Sequence, residues 1–265
     1  RAACASDTVS GMFYSCEMAE TLDFRYSITL PAGRLEHLVC LDAETLEAQP
    51  PAVSPPEWAR LDFHTCPNCP LVNSGTVDCP MAWSLSGLLA DAGKVVSHEM
   101  AHVVMHSARR TVSAETTAQR AFGSLMGLVM ATCGCPEMAW LRPMARFHLP
   151  LANEEETLYR AVSMYLVAQY FRARHGGTPD LNLDGLRQHY ARVHEINLAM
   201  ADRLRAACEQ DAPVNAVALL DMFAKFLPWS IDESLAEIEY LFRPWLKDLA
   251  PYPDATRAGT KRSGD

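Results

Sequence analysis

The chain has 265 residues, 49% hydrophobic and 21% charged, enough for one large domain or two small ones with a substantial core. Its net charge of −9 speaks against a sequence-independent nucleic-acid binder, which needs a basic face to neutralise phosphates. No apolar run approaches the length of about 20 residues that a bilayer-spanning helix needs, so neither nucleic acid nor membrane is an expected partner.

Residues 1–20 carry Asp7, Glu17 and Glu20 and lack the basic-then-apolar pattern of a signal peptide; they show no period and stay unassigned. Residues 24–30 (FRYSITL) alternate, Pro31-Ala32-Gly33 turns the chain, and residues 36–42 (EHLVCLD) return, which predicts a β-hairpin with Cys40 as a small buried hydrophobe. The proline-rich stretch 49–56 is a connector, and residues 61–64 form an extended lead into Cys66 and Cys69. From 82 to 110 helix and strand compete. Residues 114–132 have helical spacing, ended by Cys133-Gly134-Cys135-Pro136.

Beyond this the pattern is helical. Asn153 is suited to N-cap a helix whose first turn holds Glu154, Glu155 and Glu156. A second helix spans residues 184–210. A third starts at Asp211-Ala212-Pro213 and runs to Leu227-Pro228, and a fourth covers 232–249 before a polar, disordered tail. The expected fold class is α+β: a small N-terminal β-hairpin or sheet part, then a mostly α-helical bundle. The segments are 1–22, a cysteine-rich β part at 23–112, a bundle at 113–250 and a tail at 251–265. The helical half is the place for a protein partner.

Cys66, Cys69, Cys79 and Cys135 are each followed by proline, and none of the other five cysteines is. Chance would put proline after about half of one cysteine in nine. Proline after a ligand fixes φ and turns the chain away from a metal, and Cys-Pro ends some cluster-binding runs. An odd number of cysteines in a chain too long to need staples points to a reducing, cytoplasmic compartment, where cysteine clusters more often mean metal. Four thiolates suit structural zinc or an iron–sulfur cluster. His64 is an alternative nitrogen ligand. The bland counterpart is a set of reduced thiols in a proline-rich loop.

His98-Glu99-Met100-Ala101-His102 matches the His-Glu-x-x-His pattern of zinc peptidases. On a helix the two histidines lie about 6 Å apart along the axis and can share a zinc, with Glu99 activating water and Glu155 or Glu156 as a third ligand. Two features oppose it. Gly87 and Gly93 fall inside the supposed helix, and 95–111 also fits a strand with Met100, His102, Val104 and His106 on one face, where residues four apart are about 13 Å distant.

Smaller features have plainer readings. Arg142, Arg146 and His148 could line a pocket for an anion near Cys135, though a packed loop explains them as well. Arg203 with Arg205 reads as a solvated helix face, Asn197 and Asn215 as buried amides with partners, and Met126, Met130, Met138 and Met144 as core.

FHTCPNCPL (63–71), Cys79-Pro80, SLMGLVMATCGCP (124–136), RPMARFHLP (142–150) and EEETLYRAVSMYLVAQYF (154–171) together resemble a family of bacterial proteins of unknown function. The resemblance covers most of the chain after residue 22. It implies a strand-like region around His98 without a His-Glu-x-x-His motif, which leaves the thiols as the site. The functional expectation is a cytosolic protein with a four-cysteine metal centre that is structural, redox-active or sensing. A zinc metallopeptidase and a metal-free helical interaction module are the alternatives.

Overall fold

A computed structural model describes residues 20–91, 95–207 and 211–249. The fold is α+β. Strand β1 (Thr21–Leu30) pairs antiparallel with β2 (Gly33–Asp42) through the turn at Pro31-Ala32, in a register that runs from Leu30 opposite Gly33 to Thr21 opposite Asp42. Gly33 leaves that turn at φ 149°, a value side-chain-bearing residues rarely adopt. A second hairpin, β3 (Met100–Ser107) and β4 (Arg110–Thr117), adds to β1, giving an antiparallel sheet of order β2-β1-β3-β4.

One face of this sheet is apolar because residues two apart point the same way. Phe24, Tyr26, Ile28, Leu35, Val39, Leu41, Ala101, Val103 and Met105 are buried there. Strand β4 is one of the two edges, and Arg110, Ser113 and Glu115 keep it polar.

The contested stretch divides in two. Helix α1 (Pro80–Asp91) comes first, and the β3–β4 hairpin follows a short turn. Gly87, which argued against a helix, is explained by packing: a Cβ there would stand 3.2 Å from the Pro51 side chain. The helix expected from residue 114 begins at α2 (Ala118–Thr132), since residues 114–117 complete β4 and satisfy the ladder of β3.

Helix α2 is the centre of the molecule. It packs against the sheet on one side and against α1 and the later helices on the other, and 11 of its residues are buried. A 3₁₀ helix (Pro136–Leu141) and the short α3 (Arg142–Arg146) turn the chain into α4 (Glu154–Arg174), α5 (Asp184–Ala207) and α6 (Asp211–Ile238), which is followed by a 3₁₀ segment (Glu239–Trp245). The break expected at Pro228 does not occur. Proline removes a backbone donor there, but α6 lies along both α5 and α2, and that burial carries the helix through. By length and composition Ala212–Trp245 would suffice to cross a membrane, contrary to the reading that no stretch approaches this; 28% of its most apolar window is buried, and α6 packs against α5 and α2. A single apolar cluster runs from the sheet through α2 into the bundle.

The start of α4 follows the sequence closely. The Asn153 side chain accepts from the Glu156 N–H at 2.8 Å, and the Glu156 carboxylate accepts from the Asn153 N–H at 2.8 Å, a reciprocal capping box. Asn153→Ala is therefore expected to lower stability by about 1 kcal/mol, read from the urea midpoint at an unchanged slope. The residues assigned to an N-terminal segment before 20 and to the tail after 250 lie outside the described residues.

Candidate metal centre

Each proline after a candidate cysteine has a local backbone role. Cys66-Pro67-Asn68-Cys69 is a β-turn: the Cys69 N–H donates to the Cys66 carbonyl at 3.3 Å, proline takes the second position, and Asn68 takes the third with φ 54°. That pattern is a type II turn, in which proline and asparagine are favoured residues. The next turn repeats the logic, with the Val72 N–H donating to the Cys69 carbonyl at 3.3 Å. Pro80 opens α1, and the Cys79 carbonyl accepts from the Trp83 N–H. Pro136 opens the 3₁₀ helix with Cys135 as its cap. Proline at a first helical position is preset for the helix.

These turns bring the thiols into one neighbourhood at the junction of the sheet-side loops and the bundle. The thiolate forms of Cys69 and Cys79 would act on Cys66, and those of Cys79 and Cys66 on Cys135. Burial pushes the Cys66 thiol up to about 11, reinforced by Cys79 and Cys69. Burial pushes Cys135 up to about 12, opposed by the N–H groups of Glu137 and Met138, which favour its thiolate. Cys79 is buried, and Cys66, Cys69 and Cys135 are half-buried against the core. None of the described cysteines is in a disulfide. The four sulfurs do not form a closed polyhedron: among the described residues no three His, Cys, Asp or Glu side chains are disposed as a ready-made metal site.

The neighbouring groups are engaged elsewhere. His64 is exposed, with its ring edge-on to Phe63, and contributes its carbonyl rather than its imidazole. Cys133 is buried and donates its S–H to the Met130 carbonyl at 3.1 Å, facing back into α2.

Arg203 is the residue that sequence reasoning missed. It is not on a solvated face; it is 2% exposed, and its guanidinium donates to the carbonyls of Trp58 (2.6 Å), Arg60 (2.7 Å) and His64 (3.4 Å). Cys79, Cys66 and Cys69 are the groups whose thiolate forms would act on it most strongly, ahead of Asp62, and among the described residues no carboxylate is within ion-pair distance of it. A signal existed: Arg203 lies three residues beyond Met200 and seven beyond Ile196, on the apolar stripe of α5. Arg192, three turns earlier on α5, also bears on Cys66 while pairing with Glu137 and Glu195.

The peptidase motif does not form. His98 is in a turn, Glu99 follows in a bend, and His102 sits on β3 opposite Thr29 and Glu115. Met100, His102, Val104 and His106 share the outer face, alternating with buried Ala101, Val103 and Met105. The one-turn helical spacing that lets two histidines share a zinc is absent, and Glu155 stands exposed on the first turn of α4 with Glu156 engaged in the cap. The reason is tertiary: β1 supplies a paired edge that residues 100–107 complete.

The remaining polar candidates separate likewise. Arg142 pairs with Glu47 and holds the Thr45 carbonyl. His148 bonds the Tyr26 hydroxyl, which also bonds Ser124 at 3.0 Å, and desolvation pulls His148 down to about 3, so the ring is neutral and not an anion site.

No curated protein and no solved structure matches the chain. A family model described as a domain of unknown function (DUF6901) matches residues 22–243, which spans the whole sheet and the bundle to the end of α6, and the chain belongs to that family.

Proposed function

We propose that Cys66, Cys69, Cys79 and Cys135 close around a metal, as a zinc ion or an iron–sulfur cluster held by four thiolates. The observation that carries this reading is Arg203, a buried cation bonded to carbonyls, on which the thiolate forms of Cys79, Cys66 and Cys69 would act more strongly than the Asp62 carboxylate. A buried charge needs compensation, and neutral thiols supply none. Four thiolates on Zn²⁺ carry net charge −2, as does a four-thiolate cluster in its oxidised form, and a guanidinium beside either is stabilised. The N–H groups of Glu137 and Met138 act in the same sense at Cys135.

Three of the ligands come from the loops between sheet and α1, and the fourth follows α2. The centre therefore ties the sheet-side loops to the bundle. With four protein thiolates it keeps no open position, which suits a structural or electron-transferring role rather than hydrolysis. Thiols kept reduced for a metal would suit a reducing compartment, which supports the reading of a cytosolic protein.

The test is metal and acid-labile sulfide content, with an absorption spectrum, on protein purified without oxygen. Stoichiometric zinc, or iron with sulfide, is expected in the unmodified protein and in His98→Ala, and is lost in Cys66→Ser and Cys135→Ser. Folded protein that takes up neither metal nor cluster on reconstitution would overturn the reading. Because Cys66 and Cys135 hold their protons well above neutral pH, metal uptake at pH 7 is expected to release at least about two protons per centre, and affinity to fall as pH is lowered. A pH-indicator titration in weak buffer measures both.

A further inference from the structure

Helix α4 is apolar on two sides. One side is buried in the bundle through Leu158, Ala161, Val162 and Tyr165. The other carries Tyr159, Leu166, Val167, Tyr170 and Phe171, each between 38% and 58% exposed. A surface helix normally keeps that side polar, and a run of large side chains left in water marks a contact surface. Phe242 stacks on Tyr159, with 6.4 Å between ring centroids, and widens the patch towards the last 3₁₀ segment.

The order of residues along this side points to what covers it. Glu155, Tyr159, Ser163, Leu166, Tyr170 and Arg174 follow one another at steps of four, four, three, four and four, which puts them on one stripe of the helix. The series reads the same from either end. A second α4 laid antiparallel across it, about a two-fold axis between Ser163 and Leu166, sets Glu155 against Arg174, Tyr159 against Tyr170 and the small Ser163 against Leu166. Each of these pairs then occurs twice, as in any contact between identical surfaces. The charged ends are available for it. Among the described residues the side chains of Glu155 and Arg174 have no hydrogen bond or ion pair, whereas Glu156 is held in the capping box.

We propose that the exposed side of α4 is the interface of a symmetric homodimer, in which two copies of this helix pack antiparallel with an apolar centre and a Glu155–Arg174 pair at each end. Tyrosine-rich centres with charged rims are usual for such contacts. A lipid surface is a poorer match, because the acidic first turn of α4 would meet the headgroups together with the apolar stripe.

The test is the concentration dependence of molar mass, by sedimentation equilibrium on the full chain. A dimer is expected, with a dissociation constant of about 10 μM or tighter. Leu166→Glu sets two carboxylates at the axis and is expected to be monomeric throughout, with its far-UV circular dichroism unchanged. Glu155→Arg and Arg174→Glu are each expected to weaken the dimer about tenfold or more, because like charges then meet at both ends. An equimolar mixture of these two variants again faces opposite charges at both ends. It is expected to regain the dissociation constant of the unmodified protein to within about threefold, whereas damage to the fold by either substitution would persist in the mixture. The proposal is overturned by a monomer at about 200 μM, by Leu166→Glu protein that still dimerises, or by a mixture no tighter than its components. Monomeric protein that sediments with phosphatidylcholine vesicles would also overturn it and give the face to a lipid surface.

Discussion

Replacing Arg203 by methionine is expected to lower the stability of the metal-loaded protein by roughly 3–5 kcal/mol, the range for removing one partner of a buried charge pair. Methionine fills much of the same volume, so the loss reflects charge and hydrogen bonds rather than a cavity. The carbonyls of Trp58, Arg60 and His64 lose their common donor, and the thiolates lose their nearest cation. The second effect exists only when the thiols are ionised. In chelated protein, where Cys66 and Cys135 keep their protons, the same substitution is expected to cost less. The coupling is measured by a cycle of Arg203→Met against chelation, using urea unfolding on all four states. Metal affinity is expected to fall about 10- to 100-fold in the variant, as for other groups that support ligands from outside the coordination sphere. Equal losses with and without metal would reduce Arg203 to a structural cross-link between α5 and the 58–64 loop.

Phe122→Ala is expected to destabilise the fold by about 3–5 kcal/mol, the range for truncating a fully buried aromatic side chain. For a chain of this size that corresponds to a fall in melting temperature of roughly 10 °C. Phe122 is 0% exposed on α2, the helix that meets the sheet and the bundle together. The apolar cluster runs through both halves, so the loss is expected in a single transition with sheet and helix signals moving together. Two separated transitions, with only one shifted, would show that the halves fold independently in spite of their shared core.

Much of the architecture was legible from local pattern. The first hairpin came from alternation in 24–30 and 36–42 around Pro31-Ala32-Gly33, and α4 came from Asn153 followed by three glutamates. Both are short-range signals, in which a turn or a cap is specified by adjacent residues. Pro228 misled for the complementary reason: its local cost is real, but α6 draws its stability from packing along the preceding helix α5 and the distant α2.

The candidate sites show the same division. By itself the sequence determined the four Cys-Pro steps, and with them the turns and helix starts that present each thiol, because proline acts on its own residue and the one before it. It also wrote a His-Glu-x-x-His motif whose chemistry depends entirely on being helical. Only the tertiary structure decided that residues 100–107 pair with β1, where hydrogen bonds to a distant strand override a local pattern that fitted either state. Only the tertiary structure set Arg203 beside Cys66, Cys69 and Cys79. Arg203 and these cysteines are more than a hundred positions apart, and nothing local in the chain encodes such a distance.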